Sequence, residues 1–255
     1  MPNTIIKFVA LTLAILCLVA CNSYAQLSYE DLRRHEYEAV KKGSEYGQSG
    51  KYDAAIAEFD KALALNPRNA NTYYNRGVAY DRKGDIDKAL SDYSKAIDLD
   101  PKHTQPYYNR ALIYDKKGKL DQAIVDYSNA IKISPEYAEA YDNRGCDYAE
   151  KGSAEKALSD YNKAIMLNPN FANAYNNRGY LYFEKGWLDQ AISDYNKAIE
   201  VSPNFAKAYY HRAIAYLVKK DYDKSWTDIH KAESLKVAID PKFINDLKKE
   251  SGKEK

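Results

Sequence analysis

Apolar residues recur along this chain at two nested spacings, three to four residues within short stretches and 34 residues between stretches. In the first half of each unit one row reads Tyr73, Tyr107, Tyr141, Tyr175 and Tyr209. A second reads Gly77, Ala111, Gly145, Gly179 and Ala213, and a third Tyr46, Tyr80, Tyr114, Tyr148, Tyr182 and Tyr216. Residues three and four apart share one helix face, so these rows predict a stripe along a first helix. The second half gives Ala55, Ala89, Ala123, Ala157 and Ala191, then Phe59, Tyr93, Tyr127, Tyr161 and Tyr195, then Ala62, Ala96, Ala130, Ala164, Ala198 and Ala232. That is the facing stripe of a second helix.

Punctuation recurs with the same period. Gly50, Gly84, Gly118, Gly152 and Gly186 stand between the halves, where a left-handed residue ends the first helix. Pro67, Pro101, Pro135, Pro169 and Pro203, each preceded by Asn, Asp or Ser, stop the second helix. Glycine inside a helix costs about 1 kcal/mol relative to alanine. Its return in the first-helix row therefore needs a packing reason, and the small alanines opposite are expected to supply it. A unit of this size cannot bury its apolar face alone, so neighbours must stack.

The rows resemble the tetratricopeptide repeat family: aromatic, small residue, aromatic, then alanine, aromatic, alanine and proline, over roughly Leu27 to Lys236. The resemblance implies an all-α, right-handed α-solenoid of six helix-turn-helix units spanning 36–237. Residues 21–35 form a tether and the start of the first helix. The end units depart from the pattern, with Ala39 for the first tyrosine, and Lys220, Ser225, Ile229 and Val237 for glycine, alanine, aromatic and proline. Terminal repeats are commonly atypical because one face has no neighbour. Residues 238–250, with Phe243, Ile244 and Leu247 at helical spacing, are expected to cap the last unit, and 251–255 form a charged tail.

Polar residues that repeat off the packing stripe carry the functional expectation. Asn75, Asn109, Asn143 and Asn177 follow the first tyrosine by two residues, about 200 degrees around the helix. In a stacked array this row runs along the concave groove. Its amides offer a donor and an acceptor each, which suits an extended peptide backbone. Family resemblance implies such a grip on peptide main chain. Tyr74, Tyr108 and Tyr210 flank the ladder, sharing a row with Asp142 and Asn176. Asn143, Asn177, Lys207 and His211 partly resemble the family's clamp for a terminal carboxylate, although Glu139 stands where that pattern has lysine and His211 where it has arginine. Beside the ladder, Arg76, Arg110, Arg144, Arg178 and Arg212 track Asp92, Asp126, Asp160, Asp194 and Asp228, with Lys42 and Glu58 as the conservative counterparts in the first unit. Matched acids point to ion pairs that set register, worth about 0 to 1 kcal/mol each if exposed, and not to a phosphate site.

At the N-terminus, Lys7 precedes an uncharged run from Phe8 to Ala20, 13 residues long. That fits a signal-peptide core and falls short of the roughly 20 a membrane-spanning helix needs. The closing Leu18, Val19, Ala20, Cys21 resembles the lipobox of bacterial lipoproteins, which implies cleavage after residue 20 and a lipid on Cys21. An ordinary cleavage after Ala25 is the competing expectation. Export to the bacterial envelope follows either way: anchored at the outer membrane facing the periplasm, or soluble there or secreted. Once the leader is gone Cys146 is the one unmodified thiol, so no intramolecular disulfide is expected. It occupies a row with Val78, Leu112, Tyr180 and Ile214, as a small apolar filler.

Net charge is +2, with 38 basic and 36 acidic residues, too balanced for nucleic acid. Most of the 25 tyrosines fall in the packing rows. Four histidines without paired metal-ligand spacing, and no nucleophile or phosphate-loop motif, argue against an enzyme, a metal or a cofactor. The expectation is an adaptor or assembly scaffold holding a protein or peptide segment in its groove, with structural homo-oligomerisation as the alternative.

Overall fold

The structure, a computed structural model, describes residues 28–252. The expected leader, Cys21, the alternative cleavage point at Ala25 and residues 253–255 lie outside them. Among the described residues there are 13 helices and no strand, and no helix is long and apolar enough to cross a membrane. The chain forms two compact units that divide after Leu99. The first holds α1 (Tyr29–Gln48), α2 (Tyr52–Leu65), α3 (Ala70–Lys83) and α4 (Ile86–Leu99). The second holds α5 (Thr104–Lys116), α6 (Leu120–Ile133), α7 (Ala138–Glu150), α8 (Ala154–Leu167), α9 (Ala172–Glu184), α10 (Leu188–Val201), α11 (Ala206–Val218), α12 (Tyr222–Ser234) and α13 (Pro241–Ser251). Consecutive helices pair, which makes this an all-α repeat array of the solenoid class.

In the first unit, Ser28 opens α1 by accepting from the Asp31 amide, and Asn69 opens α3 by accepting from that of Thr72. Gly84 ends α3 in the left-handed region, at φ 93°, where a Cβ would be strained. The residue before the repeating proline builds the turn as well as ending the helix: Asn66 Oδ1 accepts from the Arg68 amide at 3.2 Å, an Asx turn. Asp100 and Asn168 repeat it on Lys102 and Asn170 in the second unit.

One packing expectation is corrected. The glycines of the first-helix row face the aromatic ring of the second helix and not its alanines. A Cβ on Gly77 would lie 2.8 Å from the Tyr93 ring, and one on Gly145 or Gly179 equally close to Tyr161 or Tyr195. Phe59 does the same at Gly43. The buried ring needs the space, while the alanine rows, almost wholly buried, let the helices close around it.

The second unit repeats this core three times and then ends differently. Ser225, in the alanine row, satisfies its buried hydroxyl by donating to the Ala213 carbonyl at 2.8 Å. Lys220 takes the turn position of the glycines at φ 61°. The C-terminal helix α13 starts on Asp240, whose side chain accepts from the Lys242 amide, with Pro241 in its first turn. It buries Phe243 and Leu247 against Ala213, Trp226 and Ile229, covering the last pair.

Candidate functional site

The arginine and aspartate rows meet as forks in five helix pairs. Arg76 donates through Nε to Asp92 Oδ2 at 2.7 Å and through Nη2 to Oδ1 at 2.8 Å. Arg110, Arg144, Arg178 and Arg212 do the same to Asp126, Asp160, Asp194 and Asp228. Each guanidinium also lies over two tyrosines of its own helix, as Arg178 does over Tyr175 and Tyr182, both at 5.7 Å. The remaining Nη1 reaches back to the preceding second helix: Arg144 to Ser128, Arg178 to Asn162, Arg212 to Asn196, Arg76 to Asp60. The acids are buried, unlike the exposed pairs expected, so the forks hold the two helices of a unit together, while the Nη1 contacts tie that unit to the one before it. Unit one departs from the expectation: Glu58 takes Lys61 at 2.6 Å in place of Lys42, because a lysine cannot form the fork.

A groove of about 1250 Å³ lies in the second unit, along α7, α9 and α11 and the segment after α12. Leu181, Phe205, Tyr210, Tyr161 and Val237 give it apolar walls, and Asn176, Asn177, Cys146 and His211 a polar floor. Lys207 and Lys236 stand at the edge where α11 begins, Glu150 and Glu184 at the edge where α7 and α9 end. Tyr180, on α9, is 47% exposed over this space. Sequence alone missed Tyr180, Phe205 and Val237 as groove residues.

The expected ladder residues fall in different places. Asn177 lines this groove; Asn75 lines a smaller one of about 460 Å³ in the first unit, with Gly43, Tyr52, Phe59 and Val78. Asn109 is half-buried on α5. Asn143 donates to the Tyr108 hydroxyl at 3.0 Å, one repeat back. Tyr108 stacks on Tyr137 and Tyr127, with ring centroids 4.7 and 5.8 Å away, and burial raises its phenol pKa. Tyr74 packs at 6.0 Å on Tyr93. Tyr210 meets Phe243 of α13 edge-on at 5.7 Å, and Lys207 is exposed.

Asn177 donates to both carboxylate oxygens of Asp142, at 3.1 and 3.2 Å, and reaches the Cys146 Sγ at 3.4 Å. Asp142 is buried, which pushes its carboxyl up to about 6 despite the Asn177 bond. His211 Nδ1 lies 2.9 Å from Asn176 Oδ1, its ring against Tyr180 and Tyr195. Burial, then the Lys207 charge, hold the imidazole down to about 4, so it is neutral at pH 7. Asn143 thus turns toward Tyr108, while Asn177 is spent on the buried Asp142 carboxylate and His211 on Asn176. The Cys146 thiol is pushed up to about 12 by burial and the nearby Asp142, as suits a filler and not a nucleophile.

A further buried acid sits one turn away. Asp147 occupies a row otherwise made of Ala79, Ile113, Leu181 and Ala215, is 1% exposed, and no donor reaches its Oδ2. Burial and then the Asp115 charge push it up to about 8. The break in an apolar row was visible in the sequence. Among the described residues no cluster of three or more His, Cys, Asp or Glu is placed to hold a metal.

Models of the TPR repeat match residues 43–84, 147–186 and 179–219, and models of the tetratricopeptide repeat match 70–103 and 105–137. The chain belongs to the tetratricopeptide repeat family. A MamA crystal structure is 30% identical, covering 65% of this chain and 96% of its own at a TM-score of 0.60. YrrB, described as a TPR protein with an unusual peptide-binding site, is 25% identical over 69% of this chain and 91% of its own, TM-score 0.58. PilF of Pseudomonas aeruginosa, 17% identical over 80% and 93%, shares the fold at a TM-score of 0.70. No curated protein sequence matches the chain. TPR arrays of this kind are protein-interaction scaffolds, generally without catalysis of their own.

Proposed function

We propose that this TPR protein is an adaptor or assembly scaffold of the bacterial cell envelope, exported and tethered through a lipidated Cys21, and that it holds a segment of a partner protein in the groove of its second unit. One observation carries the groove assignment: an apolar trough of about 1250 Å³ with a polar floor of amides and a neutral imidazole. Concave sites of this make-up bind ligands by burying apolar surface and fixing orientation with a few polar groups. The peptide-binding site named for YrrB supports a peptide-like occupant here. Of the proposed asparagine ladder, Asn177 is the member that lines this groove, so the ladder contributes through its C-terminal end.

Site-specific photocrosslinking in envelope extract tests the reading. A crosslinker at Lys207, on the groove edge, is expected to yield a discrete adduct, and one at Val125, 59% exposed on α6 and not among the groove-lining residues, none. Equal labelling from both positions would place the interface elsewhere. Globomycin treatment is expected to leave a longer, unprocessed chain; unchanged processing would remove the lipid anchor from the account.

A further inference from the structure

Four side chains from three successive first helices form a directional chain along the groove floor. It starts at the buried Asp142 carboxylate on α7, which accepts both contacts from Asn177 Nδ2. Asn177 Oδ1 then faces Asn176 Nδ2 at 3.5 Å, and Asn176 Oδ1 faces His211 Nδ1 at 2.9 Å. Turning either amide over would set two acceptors against each other, first at Asp142 and then at Asn177, so the carboxylate fixes every member in sequence. An imidazole whose Nδ1 must donate carries its lone pair on Nε2. His211 lines the groove beside Phe205 and Tyr210.

We propose that the Asp142–Asn177–Asn176 chain holds neutral His211 as its Nδ1–H tautomer, making Nε2 a hydrogen-bond acceptor that selects an uncharged N–H or O–H donor within an internal segment of a partner protein. This rests on the groove being the binding site. A free C-terminal carboxylate, as the partial clamp resemblance implied, is disfavoured: it would meet an acceptor, with a second carboxylate already on Asn177. Asp142, Asn176 and Asn177 are positioning residues, acting through His211.

Two measurements on the full mature chain test the proposal. The first needs no ligand. Long-range ¹H–¹⁵N spectra at neutral pH, with the signal assigned by its absence in His211→Gln, are expected to show protonation at Nδ1; Asp142→Asn is expected to abolish that preference with the fold retained by circular dichroism. Protonation at Nε2 in the native chain, or a tautomer indifferent to Asp142→Asn, would overturn it. The second uses an array of capped Leu/Phe-rich peptides in matched pairs with Ser or Ala at one position, each also made with a free C-terminal carboxylate. Native protein is expected to prefer the capped Ser member about 3- to 10-fold, the worth of one hydrogen bond, and Asp142→Asn to lose that preference. Equal binding of Ser and Ala members, or a gain from the free carboxylate, would sink the donor subsite and leave the groove standing. Capture of no peptide at all would overturn the groove reading and this inference with it.

Discussion

The seam between the two helices of each pair and the face of the first helix toward the groove are built on opposite rules. At the seam, the Arg–Asp fork is made five times with nearly the same distances, from Arg76–Asp92 to Arg212–Asp228. Toward the groove, one row reads Tyr74, Tyr108, Asp142, Asn176, Tyr210; the first two pack on the repeated rings of Tyr93 and Tyr127, while Asp142, Asn176 and Tyr210 each take a partner of a different kind. A contact that only joins neighbours has the same task in every unit, so it repeats. Where the period breaks without a break in the helix, a different task is being served, and in the second unit those breaks converge on one groove.

Removing a repeated contact is expected to have the largest effect. Arg178→Ala strands the buried Asp194 and is expected to cost about 3 to 5 kcal/mol in chemical denaturation. Tyr180→Ala, two residues on along the same helix and exposed over the groove, should change stability by no more than about 0.5 kcal/mol. Comparable losses from both would erase the distinction.

Asp147 tests the rule from within a repeated row. Its folded-state pKa lies above the unfolded value near 3.9, so its stabilising proton is fully held in acid, and stability falls as pH rises through about 8. Asp147→Leu restores the residue found at Leu181. It is expected to stabilise the protein by about 1 to 3 kcal/mol at mildly alkaline pH and to flatten the fall in melting temperature between the unfolded value near 3.9 and the folded value of about 8. An unchanged pH profile would mean that Asp147 does not hold its proton in the folded state.

Smaller effects follow at the glycines. Gly145→Val drives a branched side chain into the Tyr161 ring and should cost about 1 to 3 kcal/mol, with Gly145→Ala milder, since Ala111 and Ala213 hold the same row position. Lys220→Gly, relieving a left-handed lysine at φ 61°, should gain up to about 1 kcal/mol in thermal melts.

The helix pairs, their turns and the Arg–Asp pairing were all legible in the chain, because a repeated sequence states each contact several times. What stayed hidden depended on direction within a unit. Period alone could not show that Gly77 meets the Tyr93 ring and not an alanine, since both are opposite it on the second helix. Nor could it show that Asn143 spends its amide on Tyr108, or that Asn177 and His211 are joined through Asn176 to Asp142, contacts that cross 35 residues and differ from unit to unit. Groove walls such as Phe205 and Val237 come from loops between helices, where no stripe marks them.

On the proposed reading the groove's unrepeated residues bind a partner while the repeated ones hold the array. The decisive measurement is the affinity of the segment captured at Lys207 for native protein and for Tyr180→Ala with Lys207→Ala. A loss of tenfold or more at unchanged unfolding midpoint is the predicted result; unchanged affinity in a folded double variant would contradict the account.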